Sequence, residues 1–167
     1  KILLNGSQIN KELNSWQNSI GYIPQSIYLQ DDTIEKNIAF GQSEANIDKQ
    51  KLFNAMNQAV INEFVNNLPL KEQTIIGENG KTLSGGQIQR IGIARALYNN
   101  PSILIFDEST NSLDSNTERE FMNILNHSKN KKIIIFVTHK LELLNNCDKI
   151  FQIKDNRLKQ INTKNLP

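Results

Sequence analysis

The chain has 167 residues, with 19 Lys and Arg against 17 Asp and Glu, and a net charge of +2. That length suits one domain with a sizeable core, or part of a larger protein. The mixed, near-balanced charge gives no basic stripe, so no nucleic-acid partner is expected. The longest apolar run, residues 133–137, falls far short of the roughly 20 residues that span a bilayer. The opening KILLNGSQIN lacks the pattern of a signal peptide. A single cysteine, Cys147, permits no internal disulfide and fits a reducing compartment. His127 and His139 have no metal-ligand spacing. The chain lacks an initiator Met and opens in an expected strand, so it is expected to be a fragment.

Taken in order, residues 1–5 read as a strand ended by the turn pair Asn5-Gly6. IGYIPQ, residues 20–25, reads as a short buried strand stopped by Pro24. In DDTIEKNIAFG, Asp32 and Glu35 have capping-box spacing, so a short helix is expected to about Gly41. Leu52, Phe53, Met56, Val60, Phe64 and Leu68 fall near helical spacing, which predicts one or two helices over 48–68. A polar, Gly-containing loop follows. Ser84 and Gln87 form a second capping box, and Ile88, Ile91, Ile93, Ala94 and Leu97 give its helix an apolar face before Pro101. SILIFDE, residues 102–108, and KKIIIFVTH, residues 131–139, read as strands buried on both faces, as in a parallel sheet. Ser115 and Glu118 form a third capping box and open a helix between these strands. LELLNN reads as a short helix, and the tail as a hairpin around Asp155-Asn156. The alternation of strands and helices predicts an α/β fold with crossover helices.

Several residues sit where chemistry is done. Ser84, Gly85 and Gly86 open a helix, where free N–H groups and the positive dipole end favour an anion and glycines admit a phosphate. An ordinary N-cap has the same local pattern. Asp107 and Glu108 close an apolar strand at the carboxyl edge of the sheet, where α/β proteins bind ligands. Asp107 can hold Mg²⁺ and Glu108 can polarise a water. On an extended strand they point opposite ways, which allows separate tasks; a pair of solvated charges is the plain alternative. His139 ends another strand and can meet a phosphate, or be a simple surface residue. Gln25 can ligate Mg²⁺ or orient water by its carbonyl oxygen. Asp114 is most simply a helix cap. A phosphate-gripping GxxxxGK[ST] loop is absent.

In this fixed order the motifs resemble the nucleotide-binding domain of ATP-binding cassette (ABC) proteins, over nearly the whole chain. YIPQ is similar to the Q-loop, with Gln25 as its glutamine. Leu83, Ser84, Gly85, Gly86 and Gln87 match the LSGGQ signature letter for letter. ILIFDE resembles the Walker B strand, with Asp107 on the metal side and Glu108 as the catalytic glutamate. STNSLD resembles the D-loop, ending at Asp114, and His139 falls at the switch histidine. Ile88 and Lys140 depart from the residues common there. LQDDTIEKNIAFG and the TxxGExG-like loop of Thr74, Gly77, Glu78 and Gly80 resemble exporter segments that face the membrane domains.

The resemblance implies a P-loop NTPase-like α/β fold, with a mainly parallel sheet, a helical subdomain carrying the signature and a C-terminal β-hairpin. It implies a helical part at about 26–98 and a RecA-like core from 1–25 and 99–167. It also implies ATP and Mg²⁺ as ligands. Glu108, His139 and Gln25 would be catalytic, Asp107 and Gln25 would sit at the metal, and 83–87 with Asp114 would contact nucleotide across a dimer. A second nucleotide-binding domain and transmembrane domains are the implied partners, at the cytoplasmic face of the membrane. The implied activity is ATP hydrolysis coupled to export of a lipid, glycolipid, peptide or drug, with flippases of lipid-linked oligosaccharides among the candidates. Walker A would lie upstream of Lys1. Two other readings stand: a truncated cassette acting only as a docking or regulatory piece, and a soluble ABC ATPase of DNA maintenance. The second should carry a long coiled coil before the signature, on the far side of which the Q-loop would lie. No heptads separate Gln25 from Leu83.

Overall fold

The computed structural model describes residues 3–4, 7–8, 13–77, 80–110, 112–128, 132–145 and 147–161. Two compact units emerge, Lys1–Phe136 and Val137–Pro167. In the first, β1 (Leu3–Leu4) pairs antiparallel with β2 (Ser7–Gln8); the expected Asn5-Gly6 turn lies outside the described residues. Helix α1 (Leu13–Asn18) was not foreseen from the sequence. It buries none of its residues, so it has no apolar period to read.

The central sheet has three strands in the order β3 (Ile20–Ile23), β4 (Ile103–Asp107) and β5 (Ile133–Val137). β3 and β4 run parallel, with Ile23 opposite Phe106, although a whole helical insert separates them in the chain. On one face Ile23, Leu104 and Phe106 are buried. Phe106 stacks on Phe136 at 4.8 Å between ring centroids and meets Phe121 edge-on at 5.6 Å. Phe106→Ala is expected to cost about 3–5 kcal/mol by removing the centre of this aromatic cluster. Urea unfolding of the chain should show the loss as a lowered midpoint.

The other face differs from expectation. Alternation along each strand puts Tyr22, Ile105, Ile133 and Ile135 on the side away from Phe106, and Tyr22, Ile133 and Ile135 are 53%, 60% and 45% exposed. The strands are thus buried on one face and not on two. An apolar run records how greasy a strand is on both sides, not what covers each side.

The insert contains α2 (Ile34–Ile38), α3 (Lys49–Gln58), α4 (Asn62–Asn66) and α5 (Gly85–Leu97), with 3₁₀ turns at Glu44–Asn46 and Lys71–Gln73. Ile34, Ile38, Leu52, Met56, Ile61, Val65, Ile76 and Ile91 are buried. Of the one or two helices expected over 48–68 there are two, and Val60 adopts a left-handed φ of 55° between them. The expected cap of α2 is off by one residue: Thr33, not Asp32, accepts the N–H of Lys36. Asp32 instead accepts the Thr33 N–H at 2.7 Å. Glu35 is not a capping partner either. It is buried and takes Lys49 as its ion-pair partner, with Gln73 donating to its other oxygen, as a buried carboxylate requires.

Helix α6 (Ser115–Ser128) connects β4 to β5. Its cap is Asp114, as its sequence position suggests, accepting the Thr117 N–H at 3.0 Å; Ser115, the other expected cap, is already the first helical residue. The second unit holds α7 (Leu141–Leu144) and the hairpin of β6 (Ile150–Lys154) and β7 (Arg157–Ile161). Asp155 and Asn156 have φ of 50° and 57°, the left-handed pair that a tight two-residue turn demands. No helix among the described residues is long and apolar enough to cross a membrane.

Candidate functional site

The end of β4 brings three of the expected residues together. Gln25 lies just past β3, and the parallel β3–β4 register carries it to the end of β4. Its Nε2 donates to Glu108 Oε2 at 3.0 Å. The amide oxygen of Gln25 is thereby left as its acceptor atom, which suits a hard cation. Asp107 has a different neighbour: the Tyr22 hydroxyl donates to its Oδ2 at 2.9 Å. That bond, with the adjacent carboxylate charge, holds the Tyr22 phenol above its ordinary pKa. The two acids do have separate partners, but not through strand alternation. Glu108 has left the strand and adopts a left-handed φ of 49°, a conformation that costs a non-glycine residue on the order of 1–3 kcal/mol.

Tyr22 was not singled out from the sequence. It shares a face with Asp107 only because Tyr22 aligns with Ile105 in the register, and no local signal reports that pairing. Among the described residues no group of three or more His, Cys, Asp or Glu is arranged to hold a metal by itself. One carboxylate and one amide oxygen fit Mg²⁺ better, since that ion keeps waters and takes phosphate oxygens as further ligands.

The second cluster opens α5. Ser84 Oγ accepts the Gln87 N–H at 3.3 Å, and Gln87 Oε1 accepts the Ser84 N–H at 2.8 Å, completing the foreseen capping box. Leu83 leads in through its N–H to the Gly80 carbonyl at 2.8 Å. The two glycines differ. A Cβ at Gly86 would lie 3.2 Å from the Ser112 carbonyl oxygen, so the chain's own packing disfavours a side chain there. A Cβ at Gly85 would meet only Ser112 Cβ, at 4.0 Å, and its φ is not left-handed. Among the described residues nothing requires glycine at 85, where it weakens the helix.

Asp114, exposed, binds Thr117 through both its backbone N–H and its hydroxyl. These bonds, the hydroxyl first, hold its pKa below the ordinary value. This capping contribution is therefore full above the usual carboxylate range and lost as pH falls through the lowered pKa. His139 is exposed and belongs to the second unit, following β5. Of the exporter-like loops, Thr33 bridges Ile75, the Ile34 N–H reaches the Thr74 carbonyl at 3.1 Å, and the Ile76 N–H reaches the Asp32 carbonyl at 3.2 Å. The two segments expected to face membrane domains are thus bonded side by side. Glu78 and Asn111 lie outside the described residues.

Comparisons with known proteins agree with these motifs. The sequence model of the ABC transporter family matches residues 1–111. ABC transporter ATM1 of Toxoplasma gondii is 36% identical over 152 residues, covering 91% of this chain and 13% of that protein. The ATP-dependent lipid A-core flippase of Cupriavidus pinatubonensis is 38% identical over 165 residues, covering 98% of this chain and 28% of the flippase. A solved bacterial Atm1-family ABC exporter with ATP bound superimposes with a TM-score of 0.87 at 34% identity, over 97% of this chain and 28% of that one. The chain therefore spans between about an eighth and about a quarter of these relatives.

Proposed function

Because the chain belongs to the ABC transporter family, we propose that it is part of the ATP-hydrolysing cassette of an exporter. Its Q-loop and Walker B residues would serve a nucleotide on its own side, and its signature loop a partner's. The observation that carries this reading is the Gln25–Glu108 hydrogen bond at the end of β4. It joins a polar amide to an acid at the sheet edge whose backbone is held in a strained conformation.

Glu108 is then the residue that orients the attacking water. As the water oxygen bonds to the γ-phosphorus, the bond to the ADP oxygen breaks and the water's proton passes toward Glu108 Oε. Gln25 fixes the Glu108 carboxylate, and its carbonyl oxygen would be available to hold Mg²⁺. Asp107, steadied by Tyr22, would hold the metal side, and His139 would be the residue to steady the γ-phosphate. Mg²⁺ bound there would neutralise charge on the phosphates. Ser84 and Gly85, with the free N–H groups of α5, approach the nucleotide of a second cassette.

Residues 26–98 would form the helical subdomain, and 1–25 with 99–167 the RecA-like core. The parallel pairing of β3 with β4 across the insert supports that division. The expected partners are a second nucleotide-binding domain and transmembrane domains, with the cassette at the cytoplasmic membrane face. The cargo class would be a lipid, glycolipid, peptide or drug, in keeping with relatives named as flippase and exporter. Between Gln25 and Ser84 the helices are of ten residues or fewer, which disfavours the coiled-coil ATPases of DNA maintenance.

Isothermal titration of the chain with Mg-ATP tests the division of labour. The signature loop should not hold ATP by itself, so no binding is expected in the micromolar range. Micromolar affinity would overturn the assignment of 83–87 to a partner's nucleotide.

A further inference from the structure

Arg95 lies two turns of helix along α5 from the signature residues and touches none of the groups assigned to the nucleotide. Its guanidinium nevertheless makes three directed hydrogen bonds. Nε donates to the Asn37 carbonyl at 2.7 Å, Nη1 to the Tyr28 carbonyl at 2.9 Å and Nη2 to Asn37 Oδ1 at 3.2 Å. The group also sits 5.0 Å from the Phe40 ring centre, within cation–π range. Burial lowers its pKa from the ordinary value. Among the described residues its acceptors are backbone and amide oxygens, with no carboxylate at ion-pair distance.

Asn37 is fully buried and, besides accepting from Arg95, ties the same segment together. Oδ1 accepts the Gln30 N–H at 2.8 Å, and Nδ2 donates to the carbonyls of Gln30 and Thr33, both at 3.0 Å. Arg95 therefore grips a segment, residues 28–40, that Asn37 has already tied into one shape. One turn earlier on α5, a Cβ at Gly92 would lie 2.4 Å from Ile27 Cδ1, so Ile27 is lodged directly against the helix backbone. Ile27 follows Gln25 by two residues, and α5 begins at the signature glycines.

We propose that Arg95 is a positioning residue: with Asn37 and the Ile27–Gly92 contact it locks the segment behind Gln25 to the signature helix, so that the two move as one body. The orientation of Ser84 and Gly85 is then set by residues 27–40, the segment bonded to the second exporter-like loop. Lys cannot replace Arg here, because an ammonium cannot offer the planar fork that spans Tyr28 and Asn37. The functional consequence rests on the proposed nucleotide role of the signature loop; the mechanical lock does not.

The test uses Arg95→Lys and, should that variant not fold, Asn37→Ser. Hydrogen–deuterium exchange of the chain should rise about threefold or more in 27–40 and in 84–91 together, while the hairpin 150–161 keeps its wild-type rates. Faster exchange in 27–40 with 84–91 unchanged would overturn the lock. In the full exporter polypeptide, the same variant should raise the KM for ATP about three- to tenfold, and combining it with Ser84→Ala should add little further. Effects that multiply independently would show that Arg95 does not act through the signature loop. A failed nucleotide reading would appear separately, as normal turnover in a Glu108→Gln protein whose exchange pattern still supports the lock.

Discussion

Glu108→Gln in the full-length exporter is expected to lower ATP turnover by about a hundredfold to ten-thousandfold while leaving ATP-driven association of the cassettes intact. The substitution preserves shape and one oxygen, so the hydrogen bond from Gln25 Nε2 to position 108 can persist. What it removes is the carboxylate proposed to receive the proton of the attacking water. The backbone sharpens the argument. Position 108 has a φ of 49°, where glycine would relieve the strain, yet a glutamate occupies it. The side chain is therefore kept against the preference of the local fold. Steady-state phosphate release and analytical sedimentation with ATP measure the two arms, and wild-type turnover would refute the catalytic role.

Gly85→Ala should separate stability from activity in the opposite direction. A methyl group at 85 meets only the Ser112 Cβ at 4.0 Å, an ordinary van der Waals contact. Alanine also loses less backbone entropy than glycine on entering a helix. The isolated chain should thus gain about 0.4–1 kcal/mol, read as a raised thermal midpoint. On the proposed nucleotide role of the signature loop, the same methyl group would stand in the way of a partner's phosphate approaching the α5 N–H groups. A displacement of about 1 Å there can cost about a hundredfold in rate, so turnover of the full exporter should fall steeply. A variant that is destabilised yet active would make Gly85 a structural residue and remove it from the nucleotide surface. Gly86 is the internal comparison, because the Ser112 carbonyl oxygen at 3.2 Å predicts a stability cost at that position.

Local chemistry made some features readable in the chain alone. The capping box of Ser84 and Gln87 is a reciprocal bond between residues three apart, so its letters suffice. The Asp155-Asn156 turn is likewise local. The apolar runs of β4 and β5 marked two strands, and the motif order pointed to the ABC family. Errors appeared where several nearby residues competed for one task. Asp32 and Thr33 could each cap α2, and tertiary demand decided it: Glu35 was drawn into the interior by Lys49 and Gln73, leaving Thr33 to cap. At α6 the choice was local: Asp114, itself readable as a cap, prevails over Ser115 because its carboxylate reaches both Thr117 groups.

Pairing at long range had no letter of its own. Gln25 meets Glu108, and Tyr22 meets Asp107, through the register of β3 on β4, and that register is a property of the packed sheet. The sheet's exposed second face was hidden for the same reason, since hydrophobicity along a strand does not say what covers it. Arg95 reads in sequence as one more charged residue on a helix. Only folding brings it to the carbonyls of Tyr28 and Asn37, because a hydrogen bond depends on distance in space and not on separation along the chain.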